Sequence, residues 1–496
     1  MKKINILLIL LLTSCFKPSK SEFSVTIQNQ TLNSMPPHFL SFAIDMAQIT
    51  GGKWWEGSSD FSMGRGGALS PKLNFQRERL ISLTTALAPS VIRAGGSEAD
   101  SLYYSLDESE EVPHGFQTTL SKNTWSNFYN FVKETHNIPL LTLNIGPGYR
   151  DKNGILTYEH FHKLFTFLDS NKHTMQFFEL GNEINAFFLN YGFKHQIDAK
   201  TYSLEYRNVK KILLSYFPES KLLGPANAFW PFIGEVFTSM SVSSEDIVSE
   251  LGSELDIFSW HFYPSQSHRC PVNINRATEY TMTDLSTINS VDNIAKSVHS
   301  LSGPYEFESW LGETGPAQCG GEPQVSSSFS STLWWIDFIG KISNTQNKVM
   351  IRQTLVGSDY GTIDNKTLFI RHDYLSSYIF KNMKNTRSLK VESDYNNLYA
   401  YCDDLNFLNI LMVNLTKNSV KIKLENINDK FVSFYIDEKR SKNILEIVNS
   451  YHDFDSSMID KPIKKLSMKS NHEYLIPKRS YIVSKSLDKS DLCGMN

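Results

Sequence analysis

The sequence predicts an α/β protein, a (β/α)8 TIM barrel followed by a small antiparallel β-sandwich. Between about residues 36 and 384, short apolar runs alternate with longer amphipathic stretches, which is the pattern of strands joined by crossover helices. Eight such runs occur, and a closed barrel of this kind requires eight parallel strands. After residue 384 the pattern changes to short alternating runs, which is typical of a sandwich.

The candidate barrel strands are apolar runs, and several of them end in a polar residue beside glycine. They are residues 38–45, 90–96, 140–146, 177–183, 221–227, 257–263, 309–314 and 349–355. Between them, the spacing of apolar residues predicts helices at residues 75–88, 125–136, 158–169 and 329–343. Since catalytic groups of such barrels lie at the C-terminal ends of the strands, we expect function at the polar strand ends.

Both ends of the chain are predicted to build the second domain. Residues 23–35 contain an alternating strand that is expected to join the sandwich of residues 385–496, while residues 36–384 form the catalytic barrel. The C-terminal strand candidates follow one another without a long amphipathic helix between them. The sandwich is therefore expected to consist of strands alone.

The first fifteen residues, MKKINILLILLLTSC, place two lysines before an apolar run that is too short to span a bilayer and fits a secretory signal. The run closes on Leu12, Thr13, Ser14 and Cys15, which resembles a bacterial lipobox. This predicts a signal peptide over residues 1–14, a lipid on Cys15 and a tether over residues 15–22. We expect an exported lipoprotein anchored to the cell membrane or outer membrane; the alternative is a plain signal peptide that contains a cysteine.

Composition excludes some classes of partner. Lys plus Arg number 49 against 52 for Asp plus Glu, so no global positive field attracts nucleic acid. Aromatic residues make up 12% of the chain, which suits stacking on sugar rings and equally suits a large aromatic core. No HExxH or CxxC spacing occurs, and no metal or cofactor is assigned. We expect a monomer.

Four cysteines remain after Cys15, and an exported protein permits disulfides among them. Four cysteines allow three connectivities. A Cys402–Cys493 pair would tie the C-terminus to a late strand. Cys270 and Cys319 both follow predicted barrel strands, so either a bridge between adjacent loops or two free buried thiols is expected.

Two segments end an apolar strand in a glutamate. Residues 177–187, FFELGNEINAF, deliver Asn182 and Glu183, and residues 310–321, WLGETGPAQCGG, deliver Glu313 ahead of a glycine-rich loop. Taken singly, each glutamate is more simply interpreted as a solvated loop end. Two carboxyl groups on separate strand ends, however, suit cleavage of a glycosidic bond by an acid and a nucleophile.

These two segments resemble the acid/base and nucleophile motifs of glycoside hydrolase family 79, the heparanase and β-glucuronidase family of the clan A retaining glycosidases. Similar segments follow in order between about residues 38 and 375, at residues 42–45, 91–100, 222–225, 259–263 and 349–361. The resemblance implies a barrel with a sandwich built from both chain ends. It also implies retaining hydrolysis of β-linked glucuronic acid in glycosaminoglycan-type polysaccharides or glucuronides.

The resemblance assigns roles to residues at the strand ends. Glu183 is implied as general acid/base and Glu313 as nucleophile. Asn182 is expected to donate to the sugar 2-hydroxyl, Tyr263 to orient Glu313, and His261 to line the pocket. The simpler alternatives are a turn-forming asparagine at 182 and a hydrogen-bonded core histidine at 261.

The resemblance also implies a set of sugar-binding residues, namely Asp45, Ser97, Cys319, Gly320, Gly321, Gln353 and Tyr360. Within it, Tyr360 and the N–H groups of residues 319–321 are expected to hold the substrate carboxylate. Arg93 is expected to brace the barrel floor. The loop after residues 222–225 lacks the basic residues that heparanase uses for sulfated neighbours, so a preference for sulfated heparan is not implied.

Two other functions remain open. The first is another clan A activity, such as a β-xylosidase or an arabinofuranosidase, against which Tyr360 and the glycine loop argue. The second is a catalytically inactive glycan-binding surface lipoprotein. The presence of both glutamates and Asn182 argues against that second function, because binding alone does not require a paired acid and nucleophile.

Overall fold

The structure, a computed structural model, describes residues 21–54, 68–106, 112–230, 233–234, 242–270, 273–303 and 305–494. The predicted signal peptide over residues 1–14, the lipid site at Cys15 and most of the tether over residues 15–22 lie outside these residues. In the part of the chain that is described, no helix has the length and apolar character needed to cross a membrane.

Eight parallel strands form a closed barrel. They are β2 (Leu40–Asp45), β5 (Val91–Gly95), β8 (Ile138–Leu143), β9 (Phe177–Leu180), β10 (Lys221–Trp230), β12 (Ile257–Phe262), β13 (Glu308–Thr314) and β14 (Asn347–Arg352). Their order in space is β10, β12, β13, β14, β2, β5, β8, β9, and β9 pairs with β10 to close the ring. Each strand overlaps one of the predicted eight, so the predicted fold class is confirmed.

Helices connect and flank the barrel strands. They are α1 (Met46–Thr50), α2 (Glu78–Thr85), α3 (Lys122–Glu134), α4 (Glu159–Ser170), α5 (Phe187–Tyr191), α6 (Ala199–Tyr216), α7 (Ser244–Leu251), α8 (Leu285–Ser302), α9 (Phe329–Ser343) and α10 (His372–Asn382). Serine and aspartate side chains cap several N-termini; for example, the Ser121 hydroxyl accepts the Thr124 N–H before α3. The four predicted helices are present: α9 has the predicted bounds, and the bounds of α2, α3 and α4 differ by one to three residues.

The loops on the C-terminal side of the barrel contain short strands. β3 (Gly52–Trp54) pairs antiparallel with β4 (Ala68–Ser70), and β6 (Leu102–Ser105) pairs parallel with β7 (Thr118–Ser121). β11 (Ile233–Gly234) pairs antiparallel with the end of β10. All of them follow the C-terminal end of a barrel strand, so they enlarge the face on which the predicted site lies.

The second sheet combines one N-terminal strand with the C-terminal region. Its strands are β1 (Glu22–Ser34), β15 (Asn385–Glu392), β16 (Leu398–Asp403), β17 (Phe407–Asn414), β18 (Val420–Leu424), β19 (Phe431–Asp437), β20 (Met468–Ser470), β21 (Glu473–Ile476) and β22 (Ser480–Lys489). β1 pairs antiparallel with β15 through residues 26–34 and parallel with β18 through residues 22–25. The N-terminal strand joins the sheet as predicted, but the β1–β18 pair departs from the all-antiparallel expectation.

Two helices interrupt the C-terminal strands, so the prediction of a sandwich made of strands alone is wrong. They are α11 (Glu438–Asn449) and α12 (Ser457–Leu466). α11 buries Ser441, Ile444 and Val448, whose spacing places them on one helix face. The Ser441 hydroxyl lies 2.6 Å from Nδ1 of His372 on α10, so α11 fastens the sheet to the barrel.

The barrel and the sheet share one hydrophobic core. Trp334 and Phe338 of α9 belong to the same buried cluster as Tyr399 and Leu411 of the sheet. Disulfides add covalent links: Cys402 bonds to Cys493, which is the pair the sequence predicts, and Cys270 bonds to Cys319. The alternative of two free thiols at 270 and 319 is therefore wrong.

Candidate active site

The barrel interior changes from apolar to polar toward its C-terminal end. Its apolar layer consists of Ala43, Val91, Leu140, Leu223, Ile257, Trp310, Val349 and Ile351. Two residues further along β5, β8 and β12, inward positions are occupied by Arg93, Thr142 and Ser259, since alternate residues face the same side. Glu179 on β9 contacts all three. Ser259 and Thr142 donate to the Glu179 carboxylate at 2.7 and 2.9 Å. This polar layer supports the mouth of the barrel.

Arg93 on β5 connects the polar layer to the mouth. Its guanidinium donates to Glu179 at 2.7 Å, to Oε2 of Glu313 at 2.7 Å and to Oδ1 of Asn182 at 2.8 Å. Burial opposes a charged arginine, but the neighbouring carboxylates outweigh it and raise the pKa of Arg93. The expectation that Arg93 braces the barrel floor is wrong, because the apolar layer lies beneath it and its guanidinium holds site residues.

A register shift between β12 and β13 turns the Glu313 side chain toward the barrel interior. Trp260 pairs with Leu311 and His261 pairs with Glu313, so Gly312 is skipped. A Cβ on residue 312 would lie 2.2 Å from the Ser259 hydroxyl oxygen, which only glycine avoids. Bulges of this kind re-aim side chains beside active sites. Gly312 therefore allows Glu313 to face the mouth.

Glu183 follows β9 in an unusual backbone conformation. Its φ and ψ are 52° and 52°, in the left-handed region that residues other than glycine seldom adopt. Its N–H donates to the Ala226 carbonyl at 3.0 Å, and the Asn185 side chain bonds both the N–H and the carbonyl of Ala228. These contacts with β10 hold the segment that carries Glu183 in place.

Glu183, His261 and Glu313 converge at the mouth. One side-chain nitrogen or oxygen of each lies within 4.8 Å of the other two, and both glutamates are 7% exposed. Carboxyl groups of retaining glycosidases stand about 5–5.5 Å apart, against about 6.5–9.5 Å in inverting ones. The close approach of one oxygen of each glutamate is compatible with the shorter of these separations. The three groups are also close enough to present ligand atoms to a metal ion.

Tyr263 contacts Glu313, and His261 contacts Glu183. The Tyr263 hydroxyl donates to Oε1 of Glu313 at 2.7 Å, and Nδ1 of His261 lies 3.2 Å from Oε1 of Glu183. Burial, reinforced by the charge of Arg93, lowers the pKa of His261 well below its ordinary value. Burial and the charge of Glu313 raise the pKa of Tyr263 well above its ordinary value. Near neutral pH, Glu313 is therefore held by a cation and a phenol, and Glu183 by a neutral imidazole.

Asn182 is held from two sides. Its side-chain oxygen accepts from Arg93, and its N–H donates to Oδ2 of Asp100 at 2.7 Å. Burial raises the pKa of Asp100 to about 7, against the lowering effect of the N–H groups of Ile145 and Asn182. The oxygen of the Asn182 side chain is turned toward Arg93. The other end of the amide, Nδ2, is the group that can donate to a ligand. Sequence analysis did not single out Asp100, although it lies within residues 91–100.

Asp45 and Gln353, each expected to bind the sugar, contact each other at the mouth. Nε2 of Gln353 donates to Oδ2 of Asp45 at 2.9 Å, and Asp45 also caps α1 by accepting the Ala47 N–H. Burial, followed by the charge of Glu98, raises the pKa of Asp45 well above its ordinary value. Asp45 and Gln353 thus form one polar group, and Glu98 is a neighbour that sequence analysis missed.

Ser97 and Tyr360 occupy different walls of the mouth. Ser97 follows β5 and its carbonyl accepts from the Tyr191 hydroxyl at 3.3 Å. The Tyr360 ring stacks near Tyr263 with centroids 6.4 Å apart. Burial and then the charge of Asp45 raise the pKa of Tyr360, so its hydroxyl remains protonated and available as a donor.

The glycine-rich loop after β13 supplies part of what the sequence predicts. Cys319, Gly320 and Gly321 have φ values of 55°, 79° and 86°. The Gly321 N–H donates to the Gln318 carbonyl at 3.3 Å, so it is engaged within the loop in this structure. The N–H groups of Cys319 and Gly320 remain the candidates from this loop.

Paired buried carboxyl groups at the C-terminal mouth of a closed (β/α)8 barrel are the arrangement of a glycoside hydrolase. The chain belongs to glycosyl hydrolase family 79, because the model of that family's N-terminal domain matches residues 53–340. Heparanase-like protein 3 of Arabidopsis thaliana is 23% identical over 380 residues, which cover 70% of this chain and 66% of that protein. The chain thus spans slightly less than two thirds of that relative. Hyaluronoglucuronidase of Hirudo nipponia is 24% identical over 402 residues, which cover 75% and 78%.

Solved structures share the fold at low sequence identity. An α-L-arabinofuranosidase from Thermotoga maritima has a TM-score of 0.62 and 14% identity, with 94% of this chain and 100% of that chain covered. A 4-O-α-L-rhamnosyl-β-D-glucuronidase from Fusarium oxysporum has a TM-score of 0.61 and 12% identity, with 93% and 99% covered. These similarities support the architecture of a barrel with an attached sheet.

Replacing Arg93 by alanine is expected to destabilise the fold by about 3–5 kcal/mol, because Glu179 would remain as a buried charge without its partner. The measurement is the free energy of unfolding in urea. The matched control is Arg207→Ala, which removes an exposed pair with Glu254 and should cost less than about 1 kcal/mol. Equal losses in the two variants would contradict the central position given to Arg93.

Proposed function

We propose that this protein is a retaining β-glucuronidase that acts as a monomer on glycosaminoglycan-type polysaccharides or smaller glucuronides. Glu183 serves as general acid/base and Glu313 as nucleophile. The observation that carries the proposal is the pair of buried carboxyl groups within 4.8 Å of each other. Their surroundings support the division of roles: Glu313 accepts hydrogen bonds from Arg93 and Tyr263, whereas Glu183 faces a neutral His261.

The reaction proceeds in two displacements. In the first, the Glu183 proton passes to the glycosidic oxygen while a Glu313 oxygen attacks the anomeric carbon; the bond to the leaving group breaks and an ester forms on Glu313. In the second, Glu183 removes a proton from water, which attacks the same carbon and releases Glu313. Arg93 and Tyr263 stabilise the Glu313 carboxylate as it departs. The Asn182 amino group donates to the sugar 2-hydroxyl.

The preference for glucuronic acid rests on the wall formed by Tyr360 and the loop at residues 319–321. A buried substrate carboxylate requires hydrogen-bond donors, and the protonated Tyr360 hydroxyl with the N–H groups of Cys319 and Gly320 supplies them. The relatives of known type support this substrate class. Besides the leech hyaluronoglucuronidase, Gallus gallus heparanase is 23% identical over 365 residues, covering 63% of this chain and 65% of that protein.

Substitution of each glutamate tests the assigned roles. Glu183→Gln should lower kcat/KM for phenyl glucuronide, whose leaving group needs a proton, by about 10²–10⁴-fold, the range of general acid catalysis, and should affect glucuronyl fluoride much less because fluoride departs without a proton. Glu313→Gln should abolish turnover and labelling by a 2-fluoro glucuronide, measured by intact mass. Glu254→Gln, at an exposed glutamate far from the mouth, is the control. Unchanged turnover in Glu313→Gln would refute the mechanism, and an absence of turnover in the parent protein would favour a glycan-binding protein.

A substrate panel tests the specificity. Nitrophenyl β-glucuronide should be cleaved in preference to the β-glucoside, β-xyloside and α-L-arabinofuranoside, with EDTA having no effect. Tyr360→Phe should reduce the preference for glucuronide over glucoside by about 10-fold or more, the effect of losing a hydrogen bond to a charged group. Sizing the products from heparan, hyaluronan and chondroitin would identify the polymer. Preferred cleavage of the arabinofuranoside would instead support the alternative clan A activity.

We also propose that the protein is exported and carries a lipid on Cys15. The two disulfides in the described residues support export, because disulfides persist in oxidising compartments. Expressed in a bacterium, the wild-type chain should partition into the detergent phase of Triton X-114, and Cys15→Ala should move it to the aqueous phase. An identical distribution of the two chains would contradict the lipid anchor.

A further inference from the structure

We infer that the Cys270–Cys319 disulfide is a positioning element that makes the enzyme selective for a uronic acid. The inference rests on the proposed function, because it concerns the wall that is expected to bind the substrate carboxylate. Cys270 lies in the loop after β12 and Cys319 in the loop after β13, and their Cα atoms are 5.5 Å apart. The bond therefore ties together two neighbouring loops at the mouth of the barrel.

The carboxylate wall is built from three loops that follow β12, β13 and β14. The Gln318 N–H donates to the Ser265 carbonyl at 3.0 Å, which joins the first two loops. The Gly320 carbonyl accepts from the Asp359 N–H at 3.0 Å and from the Ser358 hydroxyl at 2.6 Å, which joins the second and third. Tyr360 follows directly in the third loop. The position of Tyr360 and that of residues 319–321 therefore depend on each other.

Arg269, the residue before Cys270, strengthens the same junction. It is 5% exposed, and its Nη1 lies 3.0 Å from the Gly321 carbonyl oxygen and 2.7 Å from Oδ2 of Asp359. One buried guanidinium from the first loop thus contacts both of the others. Because Arg269 adjoins Cys270, the disulfide also fixes the stretch of backbone from which this guanidinium extends.

The loop conformation needs such a constraint. Three consecutive residues, 319–321, occupy the left-handed region, and the first of them is not glycine. A residue with a Cβ adopts this region at a cost of roughly 1–2 kcal/mol. The packing is also close, since a Cβ on Gly321 would lie 2.9 Å from the Tyr360 nitrogen. A covalent bond at Cys319 opposes relaxation of this segment, on which the carboxylate donors lie.

The catalytic pair does not depend on the disulfide to the same extent. Glu313 is held by Arg93 from β5 and by Tyr263 at the end of β12, and Glu183 is held against β10. Loss of the bond should therefore weaken recognition of the carboxylate while leaving the chemical step in place.

The test compares two double variants, Cys270→Ser/Cys319→Ser and, as the matched control, Cys402→Ser/Cys493→Ser in the sheet. For nitrophenyl glucuronide, the first should raise KM about tenfold, the effect of weakening one hydrogen bond to a charged group, with kcat per labelled active site within about twofold. KM for the matching glucoside should change little. The control variant should keep both KM values.

Reduction provides a second route that does not depend on the folding of Cys270→Ser/Cys319→Ser. Dithiothreitol added to folded Cys402→Ser/Cys493→Ser converts the remaining disulfide to two thiols and is itself oxidised, and KM for the glucuronide should rise as in the first variant. A uronide-selective enzyme whose selectivity survives both treatments overturns this inference alone. An equal rise in KM for glucuronide and glucoside also overturns it, because the bond is then merely structural. A wild-type enzyme without uronide preference overturns the proposed function together with this inference.

Discussion

The site depends on one buried cation, the Arg93 guanidinium. It is fully buried with Glu179, and it reaches Glu313 and the side-chain oxygen of Asn182 from the same position. A lone buried charge is costly, so arginine and carboxylates stabilise the fold only as a set. Glu313, the proposed nucleophile, and Asn182, which is expected to contact the sugar 2-hydroxyl, are therefore fixed relative to each other before substrate binds. Such preorganisation is what transition-state stabilisation requires.

The sequence predicts the barrel strands and the two glutamates better than it predicts which side chains contact each other. All eight barrel strands were predictable, because a buried parallel strand is a short apolar run with a polar or glycine end. The glutamates were predictable from their place at two such ends. The depth of Arg93 was not, since periodicity indicates which residues face inward but not which partners they meet. α11 was missed because its buried face is narrow and includes Ser441.

The groups proposed to react lie on or beside barrel strands, whereas the groups proposed to bind the substrate carboxylate lie on loops. Arg93 and Glu313 lie on barrel strands. Glu183 and Tyr263 lie within a few residues of strand ends, so the barrel holds all four side chains in fixed positions. Tyr360 and residues 319–321 lie on loops that a disulfide and a buried arginine hold together. Barrels of this kind accommodate different substrates by changing loops. The same division explains why an arabinofuranosidase can share the architecture at 14% identity.

The proposed reaction makes opposite demands on Glu183, which must give a proton in the first step and take one in the second. The neighbour at 3.2 Å is His261, whose pKa burial and Arg93 hold well below its ordinary value. A charged imidazole would favour the ionised carboxylate and weaken the acid. A neutral imidazole can accept from the protonated acid through Nδ1 or, in its other tautomer, donate to the carboxylate. Burial, with the cation that holds Glu313, thus keeps His261 neutral, and a neutral His261 supports both states of Glu183.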